Sequence, residues 1–230
     1  MFESEEDKFQ FLNHNLYVAV VCDVLDTLGY RNQAMHSRLR PLLPDISKCG
    51  FVGRARTIQW MRTDHIDVED PYGLELEAMD SLKPGDVVIH AIDPPADCTP
   101  WGELMSTVAM RNGAVGCVCD SNVRDCVQII KMGFPVYYVG IRPLDSKGRG
   151  TVTGFDVPIH CGDVLVSKGE LIFADFDGIV VIPNAVEQEV LTLAAEKVAT
   201  ENHARQHLRE GNSRRRDSAT RCWRGCARCT

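Results

Sequence analysis

The chain has 230 residues, 44% of them hydrophobic and 25% charged, the balance of a globular protein with enough apolar side chains for one core. Its formal net charge of −7 argues against a general nucleic-acid or anionic-membrane binder, because neutralising phosphates needs clustered Lys and Arg. No apolar run reaches the roughly 20 residues of a membrane span, and the acidic start from Met1 to Asp7 is unlike a signal peptide, so a cytoplasmic protein with no nucleic-acid and no membrane partner is expected.

Val18 to Leu28 has apolar residues at helical spacing, with Cys22, Leu25 and Leu28 on one side and Gly29 as the stop. Asp23 and Asp26 read as surface or capping groups of that helix. Phe51 to Trp60 alternates as a strand does, and Asp64 to Leu82 reads as a loop leading into a helix around Tyr72 to Met79. Asp86 to Ile92 is a strand launched from the turn at Lys83-Pro-Gly, followed by a Pro-rich loop from Asp93 to Pro100. Helical periodicity resumes at Trp101-Gly-Glu-Leu-Met, whose first turn offers free backbone N–H groups near Glu103, Leu104 and Met105.

Gly113 to Cys119 is a short run of small and β-branched residues, as expected of a strand covered on both faces. Asp120-Ser-Asn-Val-Arg-Asp125 hands this strand to a helical stretch that Gly133 stops, and Phe134 to Val139 begins another strand. This is a βαβ unit, in which ligands collect outside the carboxyl ends of the strands, near helix N-termini that favour anions. Arg124 and Asp125 stand at that mouth, a cation and a carboxylate side by side. If the strands at 86–92 and 113–119 are neighbours, both helix starts converge on one crevice. A plain helix-start salt bridge, with Asp125 favouring the dipole, is the structural alternative.

Downstream of a loop at Arg142 to Gly150, three stretches read as short strands broken by Gly turns: Pro158 to Cys161, Asp163 to Val166 and Glu170 to Ile182. Asp175-x-Asp177-Gly178 lacks the spacing of a calcium loop and reads as a hairpin turn. Residues 185–210 form a long helical pattern whose stripe, Leu191, Ala194, Val198, Glu201, Arg205 and Leu208, is interrupted by Glu201 and Arg205. A carboxylate there is paired, at a subunit contact, reaching into a site, or ion-paired toward water at the helix end.

Seven of the ten cysteines lie before residue 214, mostly in apolar segments where a reduced Cys packs as a small hydrophobe. Cys117 and Cys119 are expected on opposite faces of their strand and so not to chelate. The last seventeen residues, 214–230, carry six Arg, one Asp and three Cys, hence +5 against −12 for the remainder. That break marks 214–230 as a segment outside the fold, and 1–213 is expected as a single domain, with two small domains as the alternative that its length allows; Cys222, Cys226 and Cys229 lack the fourth ligand of a closed zinc site. There is no internal repeat, no phosphate-binding glycine motif, no nucleophile elbow and no paired-His zinc motif.

The chain resembles the RraA-like family, which includes class II 4-hydroxy-4-methyl-2-oxoglutarate/4-carboxy-4-hydroxy-2-oxoadipate aldolases and regulators of ribonuclease E activity. The matching text is Trp101-Gly-Glu-Leu-Met-Ser-Thr, Gly113-Ala-Val-Gly, Asp120-Ser-Asn-Val-Arg-Asp125, Gly133-Phe-Pro-Val and Gly169 to Pro183. The resemblance implies a compact layered α/β/β sandwich of the swivelling-domain type, with βαβ units and a C-terminal helix, assembled as a homotrimer or homohexamer with sites between subunits. It also implies metal-dependent cleavage of a 4-hydroxy-2-oxo acid to pyruvate and a carbonyl product, with oxaloacetate decarboxylation as a side activity. In the aldolase branch an Arg-Asp pair is kept, here Arg124 and Asp125. By this resemblance Asp125 is the ligand of Mg²⁺ or Mn²⁺, Arg124 holds the substrate's oxo group, and the Leu104 and Met105 N–H groups, with Gly102 beside them, hold its carboxylate. Glu103, one methylene longer than Asp, stands where the aldolases carry an acidic residue near metal-bound water, and Glu201 matches an acidic residue supplied by the adjacent subunit. The rival expectation is a non-catalytic regulator that binds a protein partner.

Overall fold

A computed structural model describes residues 4–93 and 98–209. In chain order the elements are α1 (Glu5–Asn15), α2 (Val18–Thr27), β1 (Arg40–Pro41), β2 (Phe51–Arg62), α3 (Leu74–Asp80), β3 (Asp86–Ile92), α4 (Glu103–Arg111), β4 (Gly116–Val123), α5 (Cys126–Met132), β5 (Val136–Ile141), β6 (Gly150–Phe155), β7 (Ile159–Cys161), β8 (Val164–Val166), β9 (Leu171–Asp175), β10 (Gly178–Ile182) and α6 (Glu187–Arg209). Eight strands form one mixed sheet in the order β1-β5-β4-β3-β2-β9-β10, with β6 also on β2. β2, β3, β4 and β5 run parallel, and the hairpin β9–β10 closes one side antiparallel.

Alternation along the central strands sorts the core into layers. Val88, Cys117, Cys119 and Val136 face α3, α4 and α5, meeting Met79, Ala109 and Ile129. Val87, Ile89 and Val118 face the other way, onto Ile159, Cys161, Val164 and Val166 of the β7–β8 hairpin. A third cluster joins α1, α2 and α6 to β9 and β10 through Leu12, Val21, Leu25, Phe173, Val180 and Val190. The helix layer, main sheet and covering hairpin make the layered α/β/β arrangement with a C-terminal helix. Among the described residues no helix is long and apolar enough to cross a membrane.

Three local readings differ. Cys117 and Cys119 share one face of β4 and one apolar cluster, not opposite faces, because residues two apart in a strand point the same way. No disulfide links the seven described cysteines. The acidic start carries a helix: the Ser4 side chain accepts the Asp7 N–H at 3.0 Å, and three acidic residues occupy the first turn of α1. The stretch 150–155, at the end of the expected loop, is the strand β6, paired with the C-terminal half of β2. Residues 214–230 lie outside the described residues.

Candidate active site

β3 and β4 are parallel neighbours, with Val87 opposite Gly116 and Ala91 opposite Asp120, so the chain leaves both at the same end of the sheet. Trp101 forms a parallel bridge with Val123, and the Arg124 N–H donates to the Trp101 carbonyl at 3.0 Å. This pins the start of α4 beside the end of β4. The crevice expected from the two handovers is therefore present.

Asp125 caps α5 in the left-handed region, at φ 55° and ψ 32°, where Asp is among the few side chains tolerated. That turn aims its carboxylate across at α4, where Oδ2 accepts the Glu103 N–H at 3.2 Å. Gly102 makes the approach possible. A Cβ there would lie 2.8 Å from Asp125 Oδ2 and 3.2 Å from Arg124 Cγ. The Leu104 and Met105 N–H groups have no acceptor among the described residues, because the first intrahelical bond of α4 is from Ser106 to Gly102.

The Arg124 guanidinium is held loosely. Its Nε is 3.7 Å from Asp125 Oδ2 and its Nη1 is 3.6 Å from Asp145 Oδ1, both beyond hydrogen-bond range. Glu103 accepts a hydrogen bond from the Thr107 hydroxyl at 3.0 Å, and Leu104 is 66% exposed. The structure thus gathers Gly102, Glu103, Leu104, Met105, Arg124 and Asp125. Glu201 is elsewhere in the same chain: it lies on α6 and accepts a hydrogen bond from the Tyr17 hydroxyl, between α1 and α2. That is the paired reading of the interrupted stripe within one chain.

Three residues of this neighbourhood were not singled out in the sequence. Asp145 follows β5 and faces Arg124, the Tyr72 hydroxyl donates to Asp145 Oδ2 at 3.3 Å, and Glu75 is buried in the first turn of α3. Burial, then the charge of Asp145, pushes the Glu75 carboxyl up from 4.5 to about 8, with Arg124 pulling the other way. The signal for Glu75 is its place on the buried stripe with Ala78, Met79 and Leu82, helical spacing with a carboxylate where an apolar residue is due. Tyr72 and Asp145, 73 residues apart, had no such local signal.

A model of the aldolase/RraA family, described as RraA-like, matches residues 18–181. The chain belongs to the RraA-like family. Over 181 residues it is 36% identical to a protein of Halalkalibacterium halodurans named provisionally as a 4-hydroxy-4-methyl-2-oxoglutarate aldolase, covering 78% of each chain. Among solved structures, this RraA-like chain superimposes with a TM-score of 0.80 on one described among novel cellulases from microbes associated with the gut ecosystem, at 27% identity over 88% of this chain and 89% of that one. Streptomyces coelicolor RraAS2, described as an unusual member of the RNase ES inhibitor RraA family, gives a TM-score of 0.75 at 28% identity over 89% and 98%. The family membership and the aldolase-named relative agree with the resemblance read from the motifs at 101–107 and 120–125.

A cavity of about 360 Å³ lies between Thr63, His65 and Asp67 on one side and Gly150, Thr151 and Val152 on the other. None of the residues gathered around Arg124 lines it. It is the Arg124 crevice that holds the convergent charged groups and free N–H donors.

Proposed function

We propose that the chain is a divalent-metal-dependent lyase that cleaves a 4-hydroxy-2-oxo acid to pyruvate and a carbonyl product, and that also decarboxylates oxaloacetate. The observation that carries this reading is a guanidinium whose donors are unsatisfied, set beside two free helix N–H groups and a half-exposed carboxylate. A 2-oxo carboxylate presents the complementary groups in the same order: a carboxylate for the Leu104 and Met105 N–H donors and an oxo group for Arg124.

The donor set fits a hard divalent ion. Among the described residues no three His, Cys, Asp or Glu converge to hold a metal, and Mg²⁺ is commonly held by one or two protein carboxylates with water and substrate oxygens completing the shell. Asp125 is that carboxylate, with Oδ2 steadied by the Glu103 N–H. When bound, the ion supplies Lewis-acid polarisation of the substrate's oxo group.

In the reaction a base removes the C4 hydroxyl proton, the C3–C4 bond breaks, and its electron pair comes to rest on the C2 oxygen of a pyruvate enolate. Protonation at C3 then yields pyruvate. Arg124 lowers the barrier by aiming fixed donors at the oxygen where that charge appears. Glu103, at the crevice rim, and Glu201, brought by an adjacent subunit of a homotrimer or homohexamer, are the carboxylates that carry the protons.

The similarity to RraAS2 supports a second reading, a non-catalytic regulator that acts through a protein partner. One assay separates them. Pyruvate release from a panel of 4-hydroxy-2-oxo acids and oxaloacetate is expected with Mg²⁺ or Mn²⁺, abolished by chelator and restored by the ion. Full activity in excess chelator removes the metal role, and no pyruvate from any substrate favours the regulator.

A further inference from the structure

A buried carboxyl group on α3 is linked to Arg124 through two further residues, Tyr72 and Asp145. Glu75 is 4% exposed, close enough to Arg124 and Asp145 to feel both charges. Asp145 lies 3.6 Å from the guanidinium and accepts from the Tyr72 hydroxyl. Tyr72 and Glu75 are themselves joined, since the Glu75 N–H donates to the Tyr72 carbonyl at 2.9 Å. We propose that Glu75 is a positioning residue of the site, which with Tyr72 and Asp145 backs the Arg124 guanidinium and acts on substrate only through it. This rests on the lyase reading for its effect on turnover, but the arrangement itself does not.

The chemistry follows from the charge count around one cation. With Asp125 and Asp145 already flanking Arg124, a third anion close to it would compete with an incoming oxo acid for the same donors. A neutral carboxyl at that place does not, and burial keeps it neutral: a group titrating near 8 is mostly protonated at neutral pH. It can then donate one hydrogen bond and accept others.

Among the described residues, Asp145 and Arg124 are the charged groups that act on it. Of the elements packed on α3, β6 carries no titratable side chain, and α4 carries Glu103 and Arg111. Arg111 pairs with Asp80 at the far end of α3 at 3.7 Å. Glu77 and Asp80 on α3 itself are exposed. Above about pH 8 Glu75 ionises and draws the guanidinium back, so kcat/KM is expected to fall on the alkaline side.

The test uses the full chain and two kinds of readout. Infrared titration from pH 6 to 10 is expected to show a protonated-carboxyl band that disappears near pH 8 and is missing in Glu75→Gln. Its midpoint should rise in Arg124→Gln, where a stabilising cation is gone, and fall in Asp145→Asn, where a repelling anion is gone. A band that titrates alike in all three proteins containing Glu75, or no band at all, overturns the arrangement whatever the enzyme does. For turnover, Glu75→Ala is expected to lower kcat by about 10-fold or more, as misplacement of a donor does, with Mg²⁺ affinity unmoved by calorimetry. Glu75→Gln should restore part of that loss at pH 7 and remove the alkaline fall. An alkaline limb unchanged in Glu75→Gln overturns the positioning role, whereas a parent with normal titration and no lyase activity overturns the proposed function and leaves the arrangement standing.

Discussion

Two arginines in this molecule sit among carboxylates, and they are held in opposite ways. Arg54 on β2 donates to Glu5 at 2.7 and 2.9 Å, to Glu187 at 2.6 and 3.0 Å, and to the Gly169 carbonyl at 3.2 Å, while Lys8 reaches Glu187 at 2.8 Å. Every face of that guanidinium is used, and it ties α1, β2 and the start of α6 together. Among the described residues, Arg124 has its nearest carboxylate oxygens at 3.6 and 3.7 Å and makes no side-chain hydrogen bond. A satisfied fork stabilises the fold, and an unsatisfied one keeps its donors for a ligand.

The largest expected effect tests the second half of that contrast. Arg124→Lys should lose turnover by about 10²–10³, because an ammonium cannot present the planar pair of donors. Its stability should stay within about 1 kcal/mol of the parent, since long, half-exposed ion pairs contribute little. Turnover within a few-fold of the parent would end the assignment of Arg124 to the enolate oxygen.

Next comes the sharing of the site between subunits. Arg124→Ala and Glu201→Ala should each be nearly inactive alone, and mixed oligomers of the two should recover part of the activity. Because Glu201 also holds Tyr17, Tyr17→Phe is the control. If it matches Glu201→Ala in turnover and verified mixed oligomers show no recovery, Glu201 acts only in its own chain.

Arg54→Ala should show the converse pattern. Loss of hydrogen bonds between charged groups is worth about 2 kcal/mol, or a fall in Tm of about 4–8 °C for a chain of this size, with pyruvate release at low temperature nearly intact. The effect should also depend on acid. The Glu5 carboxyl is lowered to about 2, first by its hydrogen bonds to Arg54, and Glu187 is lowered as well. A depressed carboxyl contributes its stability above its unfolded value near 4.5 and loses it as pH falls through the folded value. The Tm gap between parent and Arg54→Ala should therefore be constant from pH 7 to about 5 and close toward pH 2. A gap that persists at pH 2 would place the stabilisation in packing.

The smallest effect is expected from the tail. A chain ending at Ser213 should assemble and melt as the full one does, and a large drop in Tm on truncation would show that the tail packs.

What was legible in the sequence follows the same division. The parallel strands β3 and β4 and the Arg124-Asp125 pair were readable, because a strand covered on both faces must be a continuous apolar run and its handover to a helix is local. Gly102 was readable only by resemblance, as its reason is a 2.8 Å approach from a residue in another element. α1 was missed because it is mostly polar, with only Leu12 fully buried; Phe9, Phe11 and Leu12 pack on the third cluster and ion pairs of Glu5 and Lys8 add to that hold, and so short an apolar patch leaves little periodicity. β6 was missed because Gly150 and Gly154 frame only a short alternation, and its pairing is set by the unusual length of β2, 12 residues, which serves β9 at one end and β6 at the other. Glu75, Tyr72 and Asp145 meet only through the fold.

The left-handed turn at residue 125 also limits what mutation can do there. With φ at 55°, the residues that hold this backbone at least strain are Gly, Asn and Asp. Both alternatives to Asp are reached by a single-base change, and both remove the carboxylate while leaving the loop in place. A lineage carrying this fold could therefore give up the carboxylate without first weakening its scaffold, and a descendant could regain it by the reverse step. The backbone at this residue thus makes the carboxylate of Asp125 easy to lose and to restore without remodelling the turn that carries it.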